Sequence, residues 1–531
     1  MTLAELAGGP PLDAAIVGGG INGTAIALDL AGRGLNVALF EQDDFGFGTT
    51  WRSTRLIHGG LWYLEHGDVR LVFESLRERA WLLKARPYLV RPQRFILPVL
   101  PWTRRPAWQL RAGLTMYDVL ALYRGVPSHR GLSAEAASAA LPPLTHEASG
   151  GFAFYDARIL SPERLALEMA LEARRLGATV LNHATVRGID VAGGRVRAVE
   201  VEAGAERASI PARLVINAGG PWVDAVNRLT NQPAPELLGV TRGSHIVVET
   251  PEPFPHDAVF SFAKSDGRVF FAVPQGRLLL VGTTDDRFDG PPGAVQPTAE
   301  DVTYLVEEMN ILLPGAGIRR EHVRYAFAGL RPLLRVVGGP ESAISRRHDV
   351  VDHAARGGPE GLLSVIGGKL STFRPLAGEV AKRVGKERAA EGPFLPRAHH
   401  WRIALRESGL PHDSRQHLRI YGDAVEDVLR RGREELCPHA PAVEGEVLHA
   451  AELEMGTTLS DILMRRTGIA WARCRGLCCH HRAAELAASV LGWSDARRYA
   501  EIGAFEADVA RHLPTVESLW AGGGDDGAAG G

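Results

Sequence analysis

Cysteine is scarce in this sequence: there are four among 531 residues, three of them bunched between 474 and 479. That number and grouping exclude a disulfide framework. Long apolar runs are missing too, none reaching the ~18 residues that a spanning helix needs. The amino terminus, MTLAELAGGPPLDAAIVGGG, has neither the basic start nor the apolar stretch of a secretory leader, so a cytoplasmic protein is expected. A net charge of −2 leaves no basic field to grip nucleic acid or an anionic membrane. Lysine is rare, supplying five of the 60 basic residues, at 84, 264, 369, 382 and 386. Where arginine is so preferred, a retained lysine points to a need for a compact amine.

What is present is an ordinary globular composition, 45% hydrophobic and 23% charged, and enough chain for two to four domains at ~150 residues each. The first clear unit is DAAIVGGGINGTAIALDLAGRGLNVALFEQ. Ala14 to Val17 suits a buried parallel strand, and Ile21 to Arg33 has helical spacing. Leu35 to Phe40 is a second strand, ending at Glu41. Between strand and helix, Gly18 permits a tight turn, Gly20 lets a pyrophosphate approach the backbone, and Gly23 lets helix pack on strand. The helix N-terminus favours phosphate, and Glu41 is placed to accept hydrogen bonds from a ribose. Glycine is common here, 60 in all, so the order of elements carries more weight than the glycines.

Further along, SPERLALEMALEARRLGA reads as a helix with Ser161 as N-cap and Pro162 in its first position. Strands are expected at Thr179–Asn182, Val196–Val201 and Leu214–Asn217, and a strand-rich region from 240 to 330. GLLSVIGGKLSTFRPLAGEVAKRV returns to strand, glycine turn and helix. After about 400 the pattern is helical, including APAVEGEVLHAAELEM and the stretch Asp461–Arg466. The tail, 521–531, is low in complexity and expected to be disordered.

Two of these returns, INAGGPW and VIGGKLST, together with LIHGGLWYLEHG, bring glycines close to something large. A nicotinamide domain is usually contiguous, whereas a long, buried flavin is covered by segments distant in sequence, so FAD is the expected cofactor. Beside those glycines stand His58, Trp62 and Tyr63. His58 is either a base for a hydroxyl proton or a structural imidazole in a crowded turn. Tyr63 either donates to a substrate or packs as an anchor.

These motifs, in the order GGGINGTAIALDLAGRGLNVALFE, TTWRSTRLIHGGLWYLE, GPWVD, RGSHIVV, GTTD, AGLRPLL and GGKLSTFRPLA, resemble those of the FAD-dependent glycerol-3-phosphate dehydrogenases. The likeness runs from about residue 12 to 385 and continues more loosely through EVLHAAELEMGTTLSDILMRRT. It implies an α/β chain with an FAD-binding Rossmann-like domain of the D-amino-acid-oxidase superfamily in residues 12–65, 150–235 and 325–390. A mixed-sheet substrate domain would take 66–149 and 236–324, and a helical C-terminal domain 400–515. The implied reaction oxidises sn-glycerol 3-phosphate to dihydroxyacetone phosphate. Electrons then pass from flavin to membrane quinone, or to oxygen in the related oxidases, with the protein attached peripherally to the inner face of the cell membrane.

Carried onto this sequence, the resemblance assigns His58, Arg331 and Lys369 to catalysis, and Tyr63, Trp62 and Arg346 to substrate. Cofactor contacts fall at Gly18, Gly20, Asn22, Gly23, Glu41, Thr50, Ser53, Gly59, Ala218, Gly219, Gly368, Lys369, Leu370 and Ser371. Gly59 and Gly60 fit a backbone pressed against the isoalloxazine, and His245 reads as structural. Trp62 departs from the family pattern LIHGGLRYLE, which has an arginine there. Arg52 and Arg55, in the same segment, are candidates to replace the lost cation. An enzyme of the same fold for another 2-hydroxy or amino substrate is the nearest alternative, and a flavin-binding redox sensor without turnover is another. CRGLCCHH has the residue types of a metal site, but C-x3-C-C-H-H matches no common zinc spacing, so no metal is expected.

Overall fold

Ala14–Val17 is apolar at every position because both of its faces are covered. In the computed structural model, which describes residues 2–233, 235–250, 254, 256–335, 347–385 and 394–521, this strand lies inside a six-stranded sheet. The order is Asp349–Asp352, Leu362–Ile366, Val215–Asn217, Ala14–Val17, Val37–Phe40 and Thr179–Leu181. All neighbours are parallel except the edge strand Asp349–Asp352. Ile16 sits in register between Ile216 and Leu39. It shares a core with Leu28, Leu165 and Leu376, from the helices Ile21–Gly32, Pro162–Arg175 and Phe373–Arg383. On the opposite face Ala15 and Val17 meet Val186, Val199 and Val201 of a three-stranded antiparallel sheet. Ser161 caps its helix by accepting from the Arg164 amide, with Pro162 in the first turn.

A ten-stranded mixed sheet forms the second layer. Its main run is Asp286–Arg287, Leu238–Glu249, Leu278–Gly282, Val269–Gln275, Ala258–Phe262, Val90–Val99, Gly150–Ile159 and Leu56–Ile57. Val323–Leu334 and Arg130–Leu132 pair beside this run. Three segments expected in the first unit, Leu56–Ile57, Gly150–Ile159 and Val323–Leu334, therefore run in the second sheet. Pairing explains the two longer ones. Phe154 and Phe152 lie opposite Phe95 and Leu97, while Val323–Leu334 follows Leu238–Glu249 along its whole length.

The C-terminal region is mainly helical, from Trp401–Glu407 to Val516–Ala521. The long helix expected for APAVEGEVLHAAELEM is shorter. Ala440–Val443 pairs with Glu435–Cys437 as a hairpin, and the helix begins at Glu444. The ladder takes backbone groups that a helix would have used. Asp461–Arg466 is a π-helix that points Arg465 and Arg466 into the first unit. There Asp44, fully buried just past Val37–Phe40, accepts from Arg465 Nε at 2.5 Å and from Arg466 Nη1 and Nη2 at 2.5 and 2.7 Å. No helix among the described residues is long and apolar enough to cross a membrane. Ala521 ends the last helix, and the rest of the expected disordered tail lies outside the described residues.

Candidate active site

Four neighbouring strands of the first sheet end side by side. Gly18, Glu41, Ala218 and Gly367 each follow the last residue of one of them and line a single cavity. Ligands of open α/β sheets bind at such carboxyl ends. Gly18 has φ +107°, and a Cβ there would sit 2.7 Å from the Ala218 carbonyl oxygen. At Gly23 a Cβ would strike the Gly18 carbonyl, so this glycine serves the packing of helix on strand. Glu41 accepts from the amides of Gly19 at 2.5 Å and Asp43 at 2.9 Å, while burial pushes its carboxyl up to about 7. Asn22 Nδ2 donates to the Gly367 carbonyl at 3.2 Å, which leaves its buried Oδ1 without a partner among the described residues.

Gly20, Thr50, Ser53 and Gly219 line the same wall, and Thr50 Oγ1 accepts the Ile21 amide at 3.0 Å. Gly368, Leu370 and Ser371 approach from the far turn. A buried carboxyl, an orphaned amide oxygen and glycine turns at three of the four strand ends fit a flavin dinucleotide.

The other part of the cavity collects charge. Lys369 Nζ lies 3.8 Å from the Tyr63 ring centre and donates to Gly59 O at 3.3 Å and Ser75 Oγ at 3.4 Å. The Arg331 guanidinium is held by Asp285 at 3.0 Å, Thr283 at 2.8 Å and the Thr284 carbonyl at 3.2 Å. It covers Gly243, where any side chain would collide with it. His58 lines this space as well, 6.3 Å from Phe271 between ring centres.

His245, read from the sequence as structural, is on the cavity wall. Its Nε2 is 2.9 Å from Thr54 Oγ1, and its ring stacks on Phe327 at 4.9 Å. Burial, and then the nearby Arg331, lower its pKa to about 3, so the ring stays neutral. No local pattern distinguishes it. Pairing of His245 with Gly282 and Phe327 across the sheet is what aims it.

The glycine pair works differently from expectation. A Cβ on Gly59 would meet Leu76 and the Tyr117 hydroxyl, and one on Gly60 would meet Tyr63 and Lys369 Nζ. Protein, rather than a ligand, thus demands both glycines. The Gly59 amide donates to Tyr117 Oη at 2.7 Å, and Tyr117 donates to Asp156 at 2.8 Å. Arg79 closes the network on Asp156 at 2.5 Å, and all three side chains are buried. This network fixes the turn whose carbonyl receives Lys369, and the sequence carries no motif for it.

Trp62 is packed in an apolar cluster, 5.4 Å from Phe262, with the Arg104 guanidinium 5.7 Å from its ring. Arg55 is committed elsewhere, to Glu163 at 2.9 Å, the Leu160 carbonyl and the Trp471 face, so it does not replace a cation at position 62. Arg52 is buried and held by the Phe47 carbonyl and His512 Nδ1. Arg346 lies outside the described residues.

Comparison with known proteins agrees with this geometry. A family described as FAD dependent oxidoreductase matches residues 13–374, and the C-terminal domain of alpha-glycerophosphate oxidase matches 378–498. Glycerol-3-phosphate dehydrogenase of Synechocystis sp. is 37% identical over 491 residues, which is 86% of this chain and 89% of that protein. The chain belongs to the FAD-dependent glycerol-3-phosphate dehydrogenase family. Its cofactor is FAD. Within this family, the dehydrogenase of Bacillus halodurans, solved with FAD, superimposes with a TM-score of 0.76 at 26% identity, covering 96% of each chain. D-erythritol 1-phosphate dehydrogenase of Brucella abortus is 34% identical over 86% of this chain and 94% of its own.

Proposed function

We propose that the cavity oxidises the secondary alcohol of sn-glycerol 3-phosphate to dihydroxyacetone phosphate. The observation that carries this reading is that Arg331, Lys369 and two imidazoles, from four separate segments, line a cavity whose other part is built for a dinucleotide. Bound FAD supplies the hydride acceptor. The protein must take the hydroxyl proton and hold the negative charges of substrate and alkoxide. A base must keep the proton it takes. His245, depressed to about 3, does this poorly, so it serves as a neutral hydrogen-bonding wall and His58 takes the proton. Arg331 is preset by three partners and Lys369 by two, so neither cation has to be ordered when substrate arrives. Anaerobic mixing with glycerol 3-phosphate is expected to bleach the flavin, while unphosphorylated glycerol leaves it oxidised. Equal bleaching by both would overturn the role of phosphate.

The likeness to D-erythritol 1-phosphate dehydrogenase supports a second substrate, a longer polyol phosphate such as erythritol 1-phosphate. Trp62 itself packs beside Phe262 and not on the cavity wall. Losing one charge-assisted hydrogen bond costs roughly 1.5–3 kcal/mol, a ten- to hundredfold effect on binding of the shorter ester. Comparing kcat/KM for the two esters in wild type and in Trp62→Arg decides between them. A shift of preference towards glycerol 3-phosphate in the variant is expected, and an unchanged ratio would dismiss position 62.

Membrane quinone is the proposed electron acceptor, reached from the inner face of the membrane. The helix Ala107–Leu120 and the turn after it expose Trp108 (69%), Tyr123 (62%), Met116, Val119 and Leu122. Arg104, Arg105, Arg111 and Arg124 are exposed beside them. The chain as a whole has no basic excess, but locally these apolar side chains are ringed by arginine, which suits an interfacial helix on anionic lipid. Flotation with anionic vesicles tests this. Binding that survives Trp108→Glu with Tyr123→Glu would refute it.

A further inference from the structure

CRGLCCHH has no part in the cavity, yet all four cysteines of the chain meet at one point in the C-terminal region. Cys437 Sγ is 3.2 Å from Cys478 Sγ and 3.7 Å from Cys474 Sγ, and Cys474 and Cys478 are 3.3 Å apart. Cys479 Sγ lies within 4.8 Å of the sulphurs of Cys437 and Cys478. Cys437 closes the hairpin strand Glu435–Cys437, opposite Ala440, with Pro438 and His439 as the turn. The other three come from the loop that leads into the helix His480–Leu491. In that loop Arg475 and Gly476 take left-handed conformations, φ 55° and 81°, which curl Cys474 and Cys478 onto one side.

We propose that Cys437, Cys474, Cys478 and Cys479 bind one zinc-class divalent ion as thiolates, stapling the 435–443 hairpin to the helix His480–Leu491. A tetrahedral ion with metal–sulphur bonds of about 2.3 Å sets its sulphurs about 3.8 Å apart, so this triangle needs to open by only tenths of an ångström. Each thiol gives up its proton to solvent as the metal binds. A disulfide would join two sulphurs and leave the other two unexplained. Simple apolar packing does not account for Cys478, which is exposed. The four ligands of a [4Fe–4S] cluster bond separate iron atoms and stand farther apart, and those of a [2Fe–2S] cluster divide into two separated pairs, unlike this compact set. The histidines of the motif are not in the set, since His480 is bonded to Glu506 at 2.8 Å. The C-x3-C-C-H-H spacing failed as a zinc pattern because its partner, Cys437, comes from a distant hairpin.

The test uses full-length, flavin-loaded protein made in zinc-supplemented medium and purified under reducing conditions. One zinc per chain by elemental mass spectrometry is expected, lost in Cys437→Ser and in Cys474→Ser while flavin absorbance is kept. Cobalt replacement should add a thiolate-to-cobalt charge-transfer band and intense tetrahedral d–d bands. If the variants do not fold, mercurial titration of wild type reads the same site, with zinc released in step as thiols are consumed. Zinc that stays below stoichiometric after supplementation, zinc retained by both serine variants, thiols consumed without zinc release, or a Cys437–Cys478 disulfide in the reduced preparation would each overturn the proposal.

Discussion

Lys369 Nζ and the face of the Tyr63 ring are 3.8 Å apart, although the two residues lie in opposite halves of the catalytic region. The ring supplies a cation–π contact and two oxygens complete the ammonium's setting, so its position is defined before substrate binds. Lys369→Ala should leave flavin content and thermal midpoint near wild type. Stopped-flow reduction by glycerol 3-phosphate should slow by about a hundredfold or more. Reduction at the wild-type rate would remove Lys369 from the chemistry.

Tyr117→Phe removes the hydroxyl that joins the Gly59 amide to Asp156. Leaving these buried groups short of a partner should cost about 1–3 kcal/mol in urea unfolding. Because the Gly59 carbonyl receives Lys369, kcat should fall with it, although Tyr117 itself is remote from the reacting atoms. A loss of stability with kcat unchanged would show that the network supports only the fold.

Glu41 sets a pH dependence. Burial raises its carboxyl from an ordinary 4.5 to about 7, against the pull of the Asp43 and Gly19 amides. A raised acid favours its neutral form in the folded state. Its contribution is therefore complete below pH 4.5 and is lost as pH climbs to about 7, a change of about 3 kcal/mol. Apoprotein should melt at progressively lower temperature across that window, and Glu41→Gln should not. Added FAD should flatten the slope, because ribose hydroxyls donating to the carboxylate favour its charged form. Glu41→Ala should purify with less flavin than wild type. Parallel melting curves for wild type and Glu41→Gln would contradict the assignment.

Asp44→Ala leaves two buried guanidinium groups, Arg465 and Arg466, facing each other without their shared carboxylate. The expected cost is about 3–5 kcal/mol, seen as a lower midpoint of chemical unfolding. Wild-type stability would show that the contact between the helical region and the flavin unit depends on other groups.

What could be read in the sequence was local. Ala14–Val17 forms as expected because four apolar residues before a glycine turn describe a buried parallel strand without outside help. Glu41, Arg331 and Lys369 stood in contiguous motifs, and all three reach the cavity. His245, Tyr117 and Asp156 did not stand out, since their positions depend on strand register and on helix-to-sheet packing. The fate of Gly150–Ile159 was hidden for the same reason. Its alternating aromatics fit either sheet, and only pairing with Val90–Val99 places it. Cys437 escaped notice because a hairpin brings it back across a gap of 37 residues.

The middle of the first sheet takes Ala14–Val17 from the start of the chain, Val215–Asn217 from near its middle and Leu362–Ile366 from much later. During translation the early strand must wait, with one neighbour unmade, until Asn217 has left the ribosome, and Val215–Asn217 in turn waits for Leu362–Ile366 and the glycines behind it. Flavin capture is therefore a late event in synthesis, and a prematurely terminated chain ending before Gly367 would carry the nucleotide fingerprint without the means to retain the vitamin.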